Sequence, residues 1–207
     1  MSPRPRKASD DAIFLATQRV MARAGPRDLT LGAIADEAGL TAGALVQRFG
    51  SKLGLLRALM ARFAGESSSM FAAIRAAHRS PLAALHDYAG CMARMGGSPE
   101  ELAHHLSWLQ MDLSDPDMRR HLGAEAKVAR REIGKWLDEA VVARELRKGT
   151  DTRALARMAQ VAISGSLLGS AVEEERAAAA MKRDLDAVLA PYLARRRGEA
   201  GSRVRQS

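Results

Sequence analysis

The chain has 207 residues, of which 47% are hydrophobic and 27% are charged. This balance excludes a chain that is disordered throughout, and the length allows one or two domains. A single cysteine, Cys91, excludes an intramolecular disulfide and a zinc site made of cysteines alone. The net charge of +8 favours a polyanionic partner.

The positive charge is concentrated at the two ends of the chain. Residues 1–62 carry ten Lys or Arg against five Asp or Glu, and residues 195–207 carry five against one. Residues 63–194 between them are nearly neutral, with seventeen basic and eighteen acidic residues. A basic N-terminal region suits nucleic-acid binding. The alternative is a solvated face with a frayed basic tail.

A soluble, cytoplasmic protein without a membrane partner is predicted. The longest uncharged stretch, Met158–Val172, has fifteen residues, fewer than the roughly 18 apolar residues of a spanning helix. The N-terminus has no apolar signal core. The one cysteine also fits a reducing compartment.

Helix start and stop signals divide the first 60 residues. Ser9, followed by Asp10 and Asp11, predicts the start of a first helix, and Gly25 with Pro26 predicts its end. Three further N-terminal caps are Thr30 before a helix over 31–38, Thr41 before one over 42–48, and Ser51 before a longer helix that begins at Lys52.

After residue 80 the pattern is that of amphipathic helices. Frequent Ala, few aromatics and no alternating β-branched runs predict an all-α fold. Ser98-Pro99 and Ser114–Asp117 are strong helix starts. The predicted helices span residues 81–95, 99–112, 116–147, 151–172 and 177–195.

The segment Leu31–Phe49 has the pattern of a helix-turn-helix. Gly39 lies where a turn requires positive φ, and Ala35 is small where two helices cross. The apolar positions of a three-helix core are Ile34, Ala38, Leu40, Leu45 and Phe49. The second helix exposes Thr41, Ala42, Gly43, Gln47 and Arg48, whose small residues allow close approach to the major groove and whose Gln and Arg suit base contacts. The alternative is an ordinary helical hairpin with a glycine turn.

The stretch from Asp28 to Leu56 resembles the TetR family of bacterial transcriptional regulators. The matching positions are Thr30, Ile34-Ala35, Ala38-Gly39, Thr41, Gly43, Leu45, Phe49, Ser51-Lys52 and Leu55-Leu56. The resemblance covers roughly residues 10–60. It implies an N-terminal three-helix DNA-binding head joined through a long fourth helix to a helical bundle that binds a ligand and dimerises.

The resemblance also implies roles for single residues. Thr30 and Thr41 contact phosphate as well as capping helices, and Lys52 meets a backbone phosphate. Ala42 and Gly43 lie close to the DNA, while Gln47 and Arg48 point toward base edges or flanking phosphates. Two positions depart from the family pattern: Val46 replaces a tyrosine that usually reaches a phosphate, and Leu53 replaces an acid. Three consequences stay open: affinity depends more on Arg48, Lys52 and a basic arm, the operator is bound weakly, or Val46 touches a thymine methyl group. The basic arm contains Arg4, Arg6 and Lys7 and could enter a minor groove, with a solvated terminus as the alternative.

Helix-turn-helix proteins generally dimerise on palindromic DNA, and the resemblance implies an interface formed by the last two helices of each subunit. The Gly165–Gly169 segment allows close helix packing. The alternative is a buried intramolecular helix. The candidate interface residues are Gly165, Leu167, Leu168, Gly169, Leu185, Leu189 and Tyr192.

Large apolar and amphipathic residues in the middle helices predict a mainly apolar cavity for an unknown small-molecule effector. Its candidate residues are Met92, Met95, His104, Trp108, Met111 and Trp136, with the ordinary core as the alternative. The resemblance implies that the effector releases a homodimeric repressor from a double-stranded operator.

An enzyme is the main alternative class, but no catalytic or metal-ligand motif appears, so no catalytic residue, metal or cofactor is predicted. A helical protein-interaction adaptor without sequence-specific DNA binding remains the other alternative. The predicted regions are a basic arm at 1–8, a DNA-binding domain at 9–55, a regulatory and dimerisation domain at 56–195 and a basic tail at 196–207.

Overall fold

The computed structural model describes residues 8–25, 28–63, 66–94 and 98–194. Over these residues the protein is all-α and contains no β-strand, which confirms the predicted class. The helices are α1 (Asp10–Arg23), α2 (Leu31–Ala38), α3 (Ala42–Phe49), α4 (Lys52–Phe63), α5 (Ser67–Ala77), α6 (Pro81–Ala93), α7 (Pro99–Ser114), α8 (Pro116–Val142), α9 (Thr152–Val172) and α10 (Ala177–Leu189).

Side-chain caps fix the start of several helices. Ser9, Ser80 and Asp151 each accept a hydrogen bond from the backbone N–H three residues later, at 3.2, 3.0 and 3.0 Å respectively. These bonds satisfy amides that the first helical turn leaves without a partner. The predicted starts of α1, α6 and α9 therefore agree with the structure to within a residue.

Two predicted helix ends were wrong. The helix predicted over 116–147 ends at Val142, because Arg144 adopts φ 59° and the Glu145 amide donates to the Ala140 carbonyl at 2.8 Å. This is the geometry of a left-handed C-terminal cap formed without glycine. The helix predicted over 177–195 ends at Leu189, and Pro191 lies in the 3-10 turn that follows.

A further helix, α5, was not predicted separately. It spans Ser67–Ala77 and buries Phe71 and Ile74. Its serine-rich first turn lacks the proline and acidic residues that mark the start of α7. The sequence therefore does not distinguish the start of α5 from the polar residues before it.

The chain divides into two compact units. The first comprises Met1–Ser67 and Pro99–Glu125, and the second comprises Ser68–Ser98 and Ala126–Ser207. Fully buried residues of the first unit include Ile13, Leu29, Ile34, Leu45 and Leu55, which join α1 to α4, and Met118 of α8 packs with them. The core of the second unit is formed by buried side chains of α5, α6, α8, α9 and α10, including Leu85, Ile133, Leu137, Leu155 and Leu185.

Among the described residues, α9 has the length and composition of a helix that could cross a membrane. This is weak evidence, since core helices of soluble proteins have the same properties. α9 contributes Leu155, Ala156, Ala159 and Ile163 to the core of the second unit.

Some predicted features lie outside the described residues. They are the basic arm with Arg4, Arg6 and Lys7, the helix-ending Pro26, the candidate ligand residue Met95 and the basic tail over 196–207. The predicted domain boundary between residues 55 and 56 stays a prediction.

Candidate nucleic-acid interface

The turn between α2 and α3 has the predicted geometry. Gly39 ends α2 in the left-handed region with φ 65° and ψ 36°. The next amide, that of Leu40, donates to the Ala35 carbonyl at 2.8 Å and so closes the turn. Residues that carry a Cβ rarely adopt this φ. Glycine at position 39 therefore allows α3 to follow α2 after only two further residues.

The inner face of α3 anchors it to the head. Leu45 is completely buried, and Phe49 packs against Phe14 of α1 with 6.0 Å between ring centroids. Ile34 and Ala35 of α2 are buried in the same core. These contacts fix the rotation of α3 about its own axis and therefore decide which of its residues face solvent.

The outer face of α3 is small and exposed. Ala42, Gly43, Val46 and Gln47 are all exposed, and they follow one another at the spacing of a helix face. A side chain added at Gly43 would meet only the Thr41 hydroxyl, at 3.9 Å. A second macromolecule can therefore approach the backbone at the start of α3 closely, as major-groove recognition requires.

Thr30 and Thr41 cap α2 and α3. Their hydroxyl oxygens accept hydrogen bonds from the amides of Ala33 and Ala44, at 3.1 and 3.2 Å. Both side chains are exposed, and a hydroxyl that accepts a capping bond keeps its proton for donation. Each threonine can thus hold its helix and donate to an acceptor such as a phosphate oxygen.

The Arg48 side chain contacts other residues of the N-terminal helices. Its Nε lies 2.6 Å from Oδ1 of Asp10, and its Nη1 donates to the Ala8 carbonyl at 2.6 Å. The guanidinium carbon also lies 5.9 Å from the centre of the Phe49 ring. These contacts tie the start of α1 to α3, so Arg48 has to leave Asp10 or use its remaining N–H groups to contact DNA.

Lys52 is half-buried at the start of α4, and its Nζ donates to the Leu29 carbonyl at 2.9 Å. This bond fixes the segment that leads into α2.

Sequence reasoning missed two contacts that hold the head. A Cβ at Gly54 would lie 2.0 Å from the Phe49 carbonyl oxygen, so α4 passes α3 at a distance that requires glycine. Arg57 of α4 donates to both carboxylate oxygens of Asp115, at 3.2 and 2.5 Å, and these hydrogen bonds lower the pKa of Asp115. The glycine inside α4 is a sequence signal from which the close approach could have been predicted. The Arg57–Asp115 ion pair joins residues 58 positions apart and leaves no local pattern in the sequence.

The candidate ligand residues divide between the two units. In the second unit, Trp136 is buried against Phe71 at a ring-centroid distance of 5.5 Å, and Met92 packs on the same core. In the first unit, Trp108 and Met111 pack on the core of the head. His104 is exposed and, with Met111, Gln110 and Asp28, lines an open cleft of about 630 Å³.

The candidate dimer residues also differ in exposure. Gly165 and Leu168 are exposed; Leu167, Gly169 and Tyr192 are half-buried; Leu185 and Leu189 are buried in the core of the second unit. Sequence reasoning did not identify the exposed row to which Gly165 and Leu168 belong. We call this row the α9 stripe, and it consists of Met158, Val161, Gly165, Leu168 and Val172.

Residues 13–59 match the sequence model of the family described as bacterial regulatory proteins, tetR family. No curated protein matches the chain. Among solved structures, a TetR transcription regulator from Haloarcula marismortui is similar, with 16% identity and a TM-score of 0.73 over 89% of this chain and 97% of the other.

Two further structures are named for their biological roles. SmeT, the repressor of the Stenotrophomonas maltophilia multidrug efflux pump SmeDEF, has 24% identity and a TM-score of 0.64 over 94% of each chain; a second SmeT structure is a triclosan complex. FadR from Bacillus subtilis, in complex with stearoyl-CoA, has 18% identity and a TM-score of 0.65 over 87% of this chain and 97% of the other.

The α2–α3 geometry is that of a helix-turn-helix, and it lies within the residues that match the tetR family. The family resemblance is confirmed for the N-terminal segment by the match over residues 13–59, and the remainder shares the fold of the solved TetR-family structures. Residues 13–59 therefore match the tetR family of bacterial regulatory proteins, and the chain has the fold of the solved TetR-family structures. The assigned roles of individual DNA-contacting, ligand-binding and dimer residues stay predictions.

Proposed function

We propose that the protein is a ligand-responsive repressor that binds a palindromic operator as a homodimer in the cytoplasm and has no catalytic activity. The observation that carries the proposal is the exposed, small-residue face of α3, set by the left-handed Gly39 turn and the buried Leu45. A helical adaptor without DNA binding would not need this geometry, nor the excess of basic residues in the first 62 positions.

The proposed DNA contacts follow from the position of each group. Gln47 reads a base edge, because its amide suits adenine. Ala42 and Gly43 let the α3 backbone approach the floor of the groove. Val46, which is 47% exposed, has no donor and contacts a thymine methyl group instead of a phosphate.

Phosphate contacts are assigned to the rim of this face. The hydroxyls of Thr30 and Thr41 donate from the N-termini of two helices, where the helix dipole also favours an anion. Lys52 supplies the charge at the start of α4. Arg48 exchanges its bond with Asp10 for one with DNA, since a phosphate or a guanine edge can replace the carboxylate.

The α9 stripe supports a homodimer. Val161, Leu168 and Val172 are 64%, 50% and 78% exposed, and the members of the stripe recur at alternating spacings of three and four residues. This is the spacing of a helix seam that packs against another helix. Gly165 in its centre has no neighbouring atom within 4 Å of an added side chain, which leaves room for a partner helix to come close.

The effector is proposed to be a small, mainly apolar molecule. SmeT has been solved with triclosan and FadR with stearoyl-CoA, both of which have large apolar parts. The candidate contacts remain Met92, Met95, His104, Trp108, Met111 and Trp136. Those of the first unit that line the open cleft, His104 and Met111, offer one polar and one adaptable apolar contact.

An operator titration of Gln47→Ala tests the proposed reading face. A bidentate base contact is worth about 1–3 kcal/mol, so the variant should bind its operator roughly tenfold or more weakly. Gln18→Ala is the matched control, because Gln18 is also exposed in the head but lies on α1. Equal affinities for the two variants would contradict the assignment of α3 as the reading helix.

A further inference from the structure

A groove of about 460 Å³ lies between α8 and α9 in the second unit. Five of its lining residues are basic: Lys127, Arg130, Arg131 and Lys135 of α8, and Arg153 of α9. The four α8 residues recur at spacings of three, one and four positions, which places them along one side of the helix. The groove is therefore lined by five cationic residues and one carboxylate, that of Asp138.

The floor and the ends of the groove are well defined. A side chain at Gly134 would lie 3.9 Å from the Ala156 Cβ, so α8 and α9 meet through small residues. At one end the Thr152 hydroxyl donates to Asp138 at 2.5 Å. At the other end Gln160 accepts from Arg130 Nε at 3.0 Å and donates to the Ala126 carbonyl at 3.0 Å. The groove is thus a structured depression rather than a gap between loose side chains.

The positive charge of this groove is only partly compensated. Glu132 pairs with Lys135 and Arg131, at 2.9 and 3.1 Å. Among the described residues, no carboxylate pairs with Lys127 or Arg153. The surrounding body, residues 63–194, has slightly more acidic than basic residues. A cluster of five cations is therefore a local feature that the overall charge of the body does not explain.

We propose that the α8–α9 groove binds the phosphate groups of a small anionic molecule. Four cationic residues of α8 and Arg153 of α9 line the groove, and a phosphate offers several acceptor oxygens to more than one cation at once. The volume fits a small-molecule ligand. The site is separate from the α3 face and from the α9 stripe, so it does not depend on the proposed DNA or dimer contacts.

Isothermal titration calorimetry of the full chain with inorganic tripolyphosphate tests this site. Saturable binding with one tripolyphosphate per chain is expected. The double variant Lys127→Gln/Arg153→Gln should weaken it about tenfold or more, since each substitution removes a charged donor. Both side chains are exposed, so the fold should persist, as checked by thermal unfolding.

The matched control is Lys148→Gln/Arg157→Gln, which removes the same charges from exposed positions outside the groove lining. It should change the affinity less than twofold if the groove, and not net charge, binds the anion. Absence of saturable binding, or an equal loss in both double variants, would overturn the proposal.

Titrations with orthophosphate and adenosine triphosphate separate the possible sources of the phosphate. Equal affinity for the triphosphate and tripolyphosphate would support a site that recognises the phosphates alone. Tighter binding of adenosine triphosphate, lost in the groove variant, would support a phosphorylated organic ligand. Orthophosphate binding as tight as that of tripolyphosphate would contradict a groove in which several cations act together.

Discussion

Gly54→Ala should destabilise the head, although alanine is the better helix former. The added Cβ would lie 2.0 Å from the Phe49 carbonyl oxygen and 3.2 Å from its carbonyl carbon. Ordinary contact begins near 3.4 Å, so the backbone at the end of α3 has to move by about 1.4 Å or α4 has to tilt. The obstructing atom is backbone and cannot rotate away as a flexible side chain would.

The expected magnitude follows from two opposing effects. Replacing glycine by alanine inside a helix gains about 1 kcal/mol, whereas overpacking costs about 1–3 kcal/mol and occasionally more. Because the contact is so short, we expect the cost to exceed the gain by about 2 kcal/mol. In a chain of this length that corresponds to a fall of about 4–8 °C in the unfolding midpoint, measured by circular dichroism at 222 nm.

Gly43→Ala is the matched control, since Gly43 is also helical but its nearest atom would be the Thr41 hydroxyl at 3.9 Å. This variant should be as stable as the parent protein or up to about 1 kcal/mol more stable. If Gly54→Ala raised the midpoint as much as Gly43→Ala, α3 and α4 would not approach each other closely enough to require glycine.

Three further results are expected. Arg48→Ala should weaken operator binding about tenfold or more in a fluorescence anisotropy titration. Asp10→Asn, which releases the Arg48 guanidinium, should retain or raise the affinity. An unchanged titration for Arg48→Ala would contradict the role of Arg48 in DNA binding. Leu168→Glu should give a monomer in sedimentation velocity. Val142 is also exposed but lies outside the α9 stripe, so Val142→Glu should stay dimeric. If both variants were dimeric, the α9 stripe would not be the dimer interface. Burial lowers the pKa of His86 below 6.5. The unfolded state therefore takes up the proton first, and the stability falls as the pH drops through 6.5. Chemical unfolding should show a flatter pH dependence of the stability for His86→Gln, and an unchanged slope would contradict this cause.

Local signals predicted the head well because its structure is set by local chemistry. Thr30 and Thr41 cap the helices that their positions indicated, and Gly39 adopts the positive φ that the turn requires. These features depend on interactions within three or four residues, which a sequence displays directly. The end of α8 escaped prediction, since Arg144 takes a left-handed conformation that the sequence does not mark with glycine.

Features built from distant segments could not be predicted in the same way. Trp136 and Trp108 are both large apolar residues of middle helices, yet they pack in different units. Leu185 follows the helical pattern of an interface but is buried in the core of the second unit. The basic α8–α9 groove exists only because Arg153 is brought opposite the cations of α8. Each depends on how helices pair, and periodicity alone does not contain that information.

The central claim is that two identical chains bind a palindromic DNA sequence through their α3 helices. Its most direct test is selection of bound fragments from random duplex DNA, followed by measurement of how many chains each selected duplex binds. An enriched motif with twofold symmetry is expected, bound by an even number of chains and bound roughly tenfold or more weakly by the Gln47→Ala variant. Fragments without a common motif, or enrichment that survives Gln47→Ala unchanged, would contradict it.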